Sequence, residues 1–269
     1  MSLFDRTAVV AQRELLSLVR NPVVLALAAG FVAITVALGW LGNAGGGYVP
    51  LTLTLQAPLE ILVPLLGFAL GYRAVADERA RGELSVVRTY PLDRWTYLGG
   101  VVLGRGAVVL TAVLVGTGLA GLLVPLTAGE SVTVISAHAT ADSPTLYLRF
   151  VALSAAFALV SLAVALAVST LVTSSRGALA LGALAFLAFV IGLDLGVLAA
   201  LGSGIVSEGG LALATALSPP SAYRGLVFAL VVDPVAPGFG GTPSPMGNVI
   251  ALSGWLVGAL GVAGWRVWR

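Results

Sequence analysis

Few residues in this 269-residue chain can do chemistry. There is no cysteine, which removes disulfides, thiolate metal sites and thiol catalysis. There is no lysine: all 14 cationic side chains are arginine. A phosphate-binding P-loop needs a lysine to reach the phosphates, so the chain carries none. Any nucleotide-driven work has to come from another polypeptide. The single histidine, His138, cannot supply the pair that an HExxH zinc site demands. One histidine and two methionines are too few to line a copper path. No cofactor and no metal are therefore expected in this chain. His138 falls in a polar stretch and reads as a solvated loop residue.

Two carboxylates stand out because they interrupt apolar runs: Glu60 and Asp194. A carboxylate inside a membrane is costly and is functional by default. Counted from the arginine-rich ends of their runs at 1.5 Å per residue, both come roughly 20–25 Å across, in the outer third. There they could reach outer headgroups, or relay protons. A proton-driven carrier would be expected to hold such groups nearer the midplane. A second pair, Tyr223-Arg224, is either an interfacial anchor of aromatic plus snorkelling cation or an outer partner or gate contact.

The elements that position these residues follow from composition. Hydrophobic residues make up 58% of the chain and charged residues 10%, against about 25% charge in ordinary globular chains. So few charges cannot cover a water-facing surface, so the bilayer is part of the solvent. A span needs about 20 mostly apolar residues. Six runs qualify: 22–41, 56–75, 97–123, 147–172, 177–201 and 246–268. They are too long and too uniformly apolar for barrel strands, and helices satisfy their own backbone in lipid. The first run is too long for a signal-peptide core and reads as a retained span. The expected fold is an all-α membrane protein with six transmembrane helices. Eleven arginines fall on one side of this topology, with Arg224 alone on the other and Arg105 and Arg149 near span ends. The positive-inside rule makes both termini cytoplasmic.

Residues 1–21 interleave Phe4, Val9, Val10, Leu15, Leu16, Leu18 and Val19 with Arg6, Arg13, Glu14 and Arg20. This pattern predicts an amphipathic interfacial helix, broken at Asn21-Pro22. Residues 202–245 form an outer loop. Within it, 211–217 and 222–232 are apolar but too short to span, and Ser218-Pro219-Pro220 separates them. Short re-entrant or interfacial helices are expected before the last span.

The most informative segment is the connection after the second span, residues 76–96. From Asp77 to Arg88 it alternates charge and apolar positions, with Val75, Leu84, Val86 and Val87 covering one side. Glu78, Arg79, Arg81 and Glu83 are expected to face water, and Gly82 interrupts the run. Such a piece suits docking into a partner's groove. It is equally what a solvated hairpin carrying positive-inside arginines would look like.

The pattern Glu78-Arg-x-x-Gly82-x-Leu84, then Tyr90-Pro91-Leu-x-Arg94 and Gly99, resembles the loop after the second span of ABC-2 type transporter permeases. The likeness extends to the amphipathic N-terminal helix, the six spans and the membrane-active segment before the last. It implies one permease domain over the whole chain, which is not itself an enzyme. It also implies a second copy of the chain and two cytoplasmic ATPase subunits that hold ATP and Mg. The plasma membrane of a prokaryote is the expected location, with no nucleic-acid partner. On this resemblance Glu78, Arg79, Gly82, Glu83, Tyr90, Pro91 and Arg94 are candidates for the ATPase-coupling contact, and Arg81 and Arg88 orient the loop. Leu217-Ser-Pro-Pro-Ser-Ala-Tyr223-Arg224 is similar to the Asn-Pro-x-x-x-Tyr-Arg stretch of NosY-type permeases of nitrous oxide reductase maturation, with Ser218 in place of the Asn. That likeness implies an extracytoplasmic accessory partner and a chain that transmits motion without holding copper. The alternatives are a generic ABC-2 exporter of lipid, drug or peptide, and an ion-driven carrier using Glu60 or Asp194. No His/Glu or Ser/Lys constellation supports an intramembrane enzyme.

Overall fold

The computed structural model describes residues 3–42, 44–87, 89–90, 92–127, 142–205, 210–238 and 244–268. It is all-helical, with no strand among the described residues. Among the described residues, six helical segments are long and apolar enough to cross a membrane. His138, Arg88 and Pro91 lie outside the described residues.

Helix α1 (Leu3–Val19) precedes the first span, α2 (Pro22–Leu41). Val10, Glu14 and Leu18, spaced four apart, are its buried stripe. The chain turns at Asn21, whose side chain accepts from the Val23 N–H at 3.0 Å, and Pro22 supplies the first helical position.

The second span is α3 (Tyr48–Gly71), followed after a two-residue turn by α4 (Ala74–Ala80) and then α5 (Glu83–Val87). It begins eight residues before the expected Gln56. Its threonines and Pro50, directly after Gly45–Gly47, make that stretch read as a loop. Pro50 sits in the first turn, where its missing N–H costs nothing. The Thr52 and Thr54 hydroxyls donate back to the carbonyls of Tyr48 and Pro50. The start is capped from far along the chain: the Asp142 carboxylate accepts from the N–H groups of Tyr48 (2.8 Å) and Val49 (3.2 Å). Glu60 therefore lies near the middle of α3, roughly 18 Å from its start, and not in the outer third.

The third and fourth spans are α6 (Arg94–Thr127) and α7 (Pro144–Leu171). The fifth is α8 (Ser175–Leu187) and α9 (Leu193–Gly202), joined through a π-turn at Ala188–Gly192. Next come α10 (Leu211–Ala216) and α11 (Pro219–Val227), the latter running into a second π-turn, Phe228–Val232. Pro219 and Pro220 do not merely separate two apolar pieces; they form the first turn of α11. The last span is α12 (Pro245–Arg266).

α7 is the central post. Phe150, Phe157, Leu162 and Leu166 on it are enclosed, and α3, α6, α11 and α12 pack around it. Two glycine pairs allow close helix approaches. A Cβ at Gly67 or Gly71 of α3 would stand 3.0 Å from Ser161 Cβ or 2.6 Å from Ala165 Cβ of α7. A Cβ at Gly100 or Gly104 of α6 would meet Val10 Cβ at 2.4 Å or the Ala11 carbonyl at 2.6 Å, on α1. Where lipid is as apolar as protein, such contacts take the place of a hydrophobic drive between helices. The fifth span is the least enclosed, burying only Ala178, Gly182 and Phe189.

Candidate functional site

Two polar clusters are built into this bundle. One lies at the end that carries both termini, around α4. Its first turn is held by α7: the Val75 and Ala76 N–H groups donate to Ser169 Oγ at 3.0 and 3.1 Å. Asp77 accepts from Ser175 Oγ at 2.8 Å and pairs with Arg73 at 3.0 Å.

The side chains expected to face water divide here. Glu78 is turned inward and is 5% exposed. One of its oxygens pairs with Arg13 of α1 and the other accepts from the Tyr97 hydroxyl of α6. Arg13 also bonds Glu14 at 3.0 Å, and Glu14 pairs with Arg105 Nε of α6 at 2.9 Å. Arg105 ends the series by donating to the Leu70 carbonyl at the foot of α3. Two carboxylates and two guanidiniums thus close an electrically neutral network over α1, α3, α4 and α6. Arg79 also turns in. It donates to the carbonyls of Thr170 and Val172 at 3.0 Å and of Arg266 and Val267 at 3.3 Å. A cation is favourable at helix C-termini, where carbonyls lack intrahelical partners. Arg79 joins two such ends, those of α7 and α12.

Glu78 and Arg79 are therefore the anchors of α4 and not a free contact surface, a correction to the expectation that they face water. The reason is that burial of either charge becomes tolerable once partners arrive from distant segments. What remains exposed is the turn between α4 and α5 and the start of α6. Gly82, with φ of +74°, makes the turn, a backbone conformation that side chains with a Cβ rarely adopt. Arg81 and Glu83 are exposed and paired at 2.7 Å, and the bond to Glu83 raises the Arg81 pKa. Leu84 is buried beneath them. Tyr90 and Trp95 are exposed, and the Arg94 guanidinium lies 5.9 Å from the Trp95 ring. Asp93 caps α6, accepting from the N–H groups of Trp95 (2.7 Å) and Thr96 (3.0 Å) and from the Thr96 hydroxyl. The hydroxyl bond first, and then the Thr96 N–H, hold the Asp93 pKa below its ordinary 3.8.

The second cluster lies at mid-height of α3, between it and an open cleft. Arg224 of α11 forms a two-pronged pair with Glu60 of α3, with Nε to Oε1 at 2.8 Å. Gln56 donates to the same Glu60 oxygen at 3.2 Å. Arg224 also lies 3.9 Å from Asp194 of the fifth span, which accepts from Ser221 Oγ at 2.9 Å. The two intramembrane carboxylates are thus brought together by the arginine that was expected outside. Contact with mid-α3 is what a re-entrant α11 would make. Tyr223, next to Arg224 but turned toward α7, is enclosed. Its ring stacks on Phe157 with centroids 4.7 Å apart, and its hydroxyl meets Ser154 Oγ at 2.9 Å. It is not an outer partner contact in this conformation, because no part of it is accessible. A cleft of about 330 Å³ opens beside Arg224, Ser221 and Asp194. No His, Asp or Glu group suited to a metal ion occurs among the described residues.

Sequence reasoning passed over Glu14, Tyr97 and Arg105. A signal existed for two of them. Glu14 shares a face with Val10 and Leu18, and Arg105 lies eight residues inside the apolar run 97–123. Each implies a partner.

The family model described as ABC-2 family transporter protein matches residues 8–266. The chain belongs to the ABC-2 family of transporter permeases. Two curated relatives of this permease bear the name probable ABC transporter permease protein NosY. The one from Pseudomonas aeruginosa is 32% identical over 225 residues, covering 80% of this chain and 78% of the relative. The one from Stutzerimonas stutzeri is 36% identical over 123 residues, 44% of this chain and 45% of the relative. This permease is a multi-pass membrane protein of a transport system, without a P-loop of its own.

Proposed function

We propose that this permease is driven by two separate cytoplasmic ATPase subunits, which bind ATP and Mg, and that it works as a pair of copies. The exposed turn Arg81–Ser85, with Tyr90 and Arg94 beside it, is the contact with the ATPase. One observation carries this reading. The turn is exposed while the residues on which it is mounted, Glu78 and Arg79, are bonded to α1, α6, α7 and α12. A push on the turn is therefore delivered to four helices together, as rigid-body switching requires. Both termini would then be cytoplasmic and the membrane a prokaryotic plasma membrane. The relatives' shared name, NosY, joins the resemblance of Leu217–Arg224 to NosY-type permeases in favouring a place in nitrous oxide reductase maturation, with an extracytoplasmic accessory protein on the far side. An ion-driven carrier is less favoured, because Glu60 is already neutralised by Arg224.

In membranes holding this chain and its ATPase, charge reversal at Glu83 should change ATP turnover, while the isolated ATPase is unaffected. Turnover indifferent to every substitution across 81–90 overturns the coupling assignment. Loss of nitrous oxide reduction on deleting the gene supports the maturation role, and unimpaired reduction rejects it.

A further inference from the structure

We propose that the groove between α7 and α12 holds one acyl chain of an anionic phospholipid from the leaflet on the side of the chain termini. The groove measures about 530 Å³, and every residue lining it is apolar or glycine, including Val168, Leu171, Gly254, Trp255, Gly258 and Val262. Beyond one end of it, Arg79 bonds the last carbonyls of both helices. At the other it is roofed by Leu217, whose carbonyl accepts from the Trp255 indole N–H at 2.8 Å.

Length decides what fits. From Val262 to Ala251 the groove follows α12 for roughly 16 Å at 1.5 Å per residue. That is about half of the ~30 Å hydrocarbon core, the reach of one leaflet. A helix from a second copy would need the full thickness and meets the roof half-way.

Charge decides the headgroup. Arg266 is one helical turn beyond Val262, on the same face of α12 as the groove, and is exposed. Its guanidinium lies 5.0 Å from the Trp265 ring. Trp95 packs against Gly264 at this level, and Trp268 meets Tyr97 at a tilt of 33° with centroids 5.2 Å apart. Tryptophans with an arginine mark the headgroup layer. A chain in the groove would hold its phosphate beside Arg266.

The test uses the full-length protein in nanodiscs of phosphatidylglycerol or phosphatidylcholine carrying a photoactivatable acyl chain. Peptides of α7 and α12 should be labelled more strongly from phosphatidylglycerol, by about fivefold, the weight of one arginine at an anionic surface. Gly258→Leu should abolish that labelling. A Cβ at position 258 meets nothing within 4 Å, so the change fills the groove without straining the fold. Gly261→Leu, also in open space but off the groove, should leave labelling intact. Arg266→Gln, at an exposed position, should keep the labelling and erase the headgroup preference. Labelling insensitive to Gly258→Leu would mean ordinary annular lipid and overturn the proposal. So would a disulfide between two copies at Gly258→Cys, which would make the groove an interface between copies.

Discussion

Removing the two ends of the Glu60–Arg224 pair should have unequal costs. The Glu60 side chain is 10% exposed and the Arg224 side chain 44%. In Arg224→Ala the Glu60 carboxylate is left buried with Gln56 as its remaining donor. Breaking a buried pair from that side costs about 3–5 kcal/mol. In Glu60→Ala the guanidinium still opens on its cleft and has Asp194 within 3.9 Å. The loss is then that of a hydrogen bond to a charged group, partly screened, roughly 1–2 kcal/mol. Replacing both charges with apolar groups of similar size, Glu60→Leu with Arg224→Met, should come within about 1 kcal/mol of the parent. Equilibrium unfolding of micelle-embedded protein in denaturing detergent, followed by tryptophan fluorescence, measures all three. A Glu60→Ala cost equal to or above that of Arg224→Ala would refute the reasoning, as would a double variant no better than the worse single one.

Arg79→Gln should lower stability by about 2 kcal/mol through the uncapped ends of α7 and α12, and should weaken the response of ATP turnover to this subunit; unfolding and turnover assays read the two effects. Gly104→Leu places side-chain atoms where the Ala11 carbonyl and Glu14 Cβ stand, so α1 should be displaced from α6, with faster tryptic cleavage at Arg13. Gly82→Ala forces a Cβ into the left-handed region and should cost about 1 kcal/mol, seen as lower stability or a changed turn by cysteine accessibility at position 83. Asp93→Ala should cost about 1 kcal/mol as a lost helix cap. Because folding depresses the Asp93 pKa, its contribution is complete above the ordinary value of 3.8 and fades as pH falls below it. The gap between parent and Asp93→Ala should close on acidification through that range.

The spans were legible in the sequence because lipid imposes one rule on every residue of a run, and a run of twenty apolar residues carries that rule openly. Their ends were less so. The start of α3 depends on Asp142, more than ninety positions away, and no local pattern announces a cap supplied from another loop. The π-turns before Asp194 and after α11 are equally silent, being one-residue changes of register within apolar helix. In the loop helix, the alternation of charge was visible but its facing was not. Which of Glu78, Arg79 and Glu83 looks outward depends on Arg13, Tyr97 and two helix C-termini that arrive from elsewhere. The same holds for Arg224. Counted as a surface charge, it looked like an anchor, and only the position of α11 against mid-α3 makes it the partner of Glu60.

The central claim is that the turn between α4 and α5 meets the ATPase while α4 is its mounting. The parent chain has no cysteine, so single cysteines report without background. Glu83→Cys and Glu78→Cys are each co-expressed with the ATPase subunit, and short bifunctional cross-linking is followed by gel mobility. The account predicts a permease–ATPase adduct from position 83, responsive to ATP, and none from the buried position 78. Capture from 78 but not 83, or from neither, would contradict it.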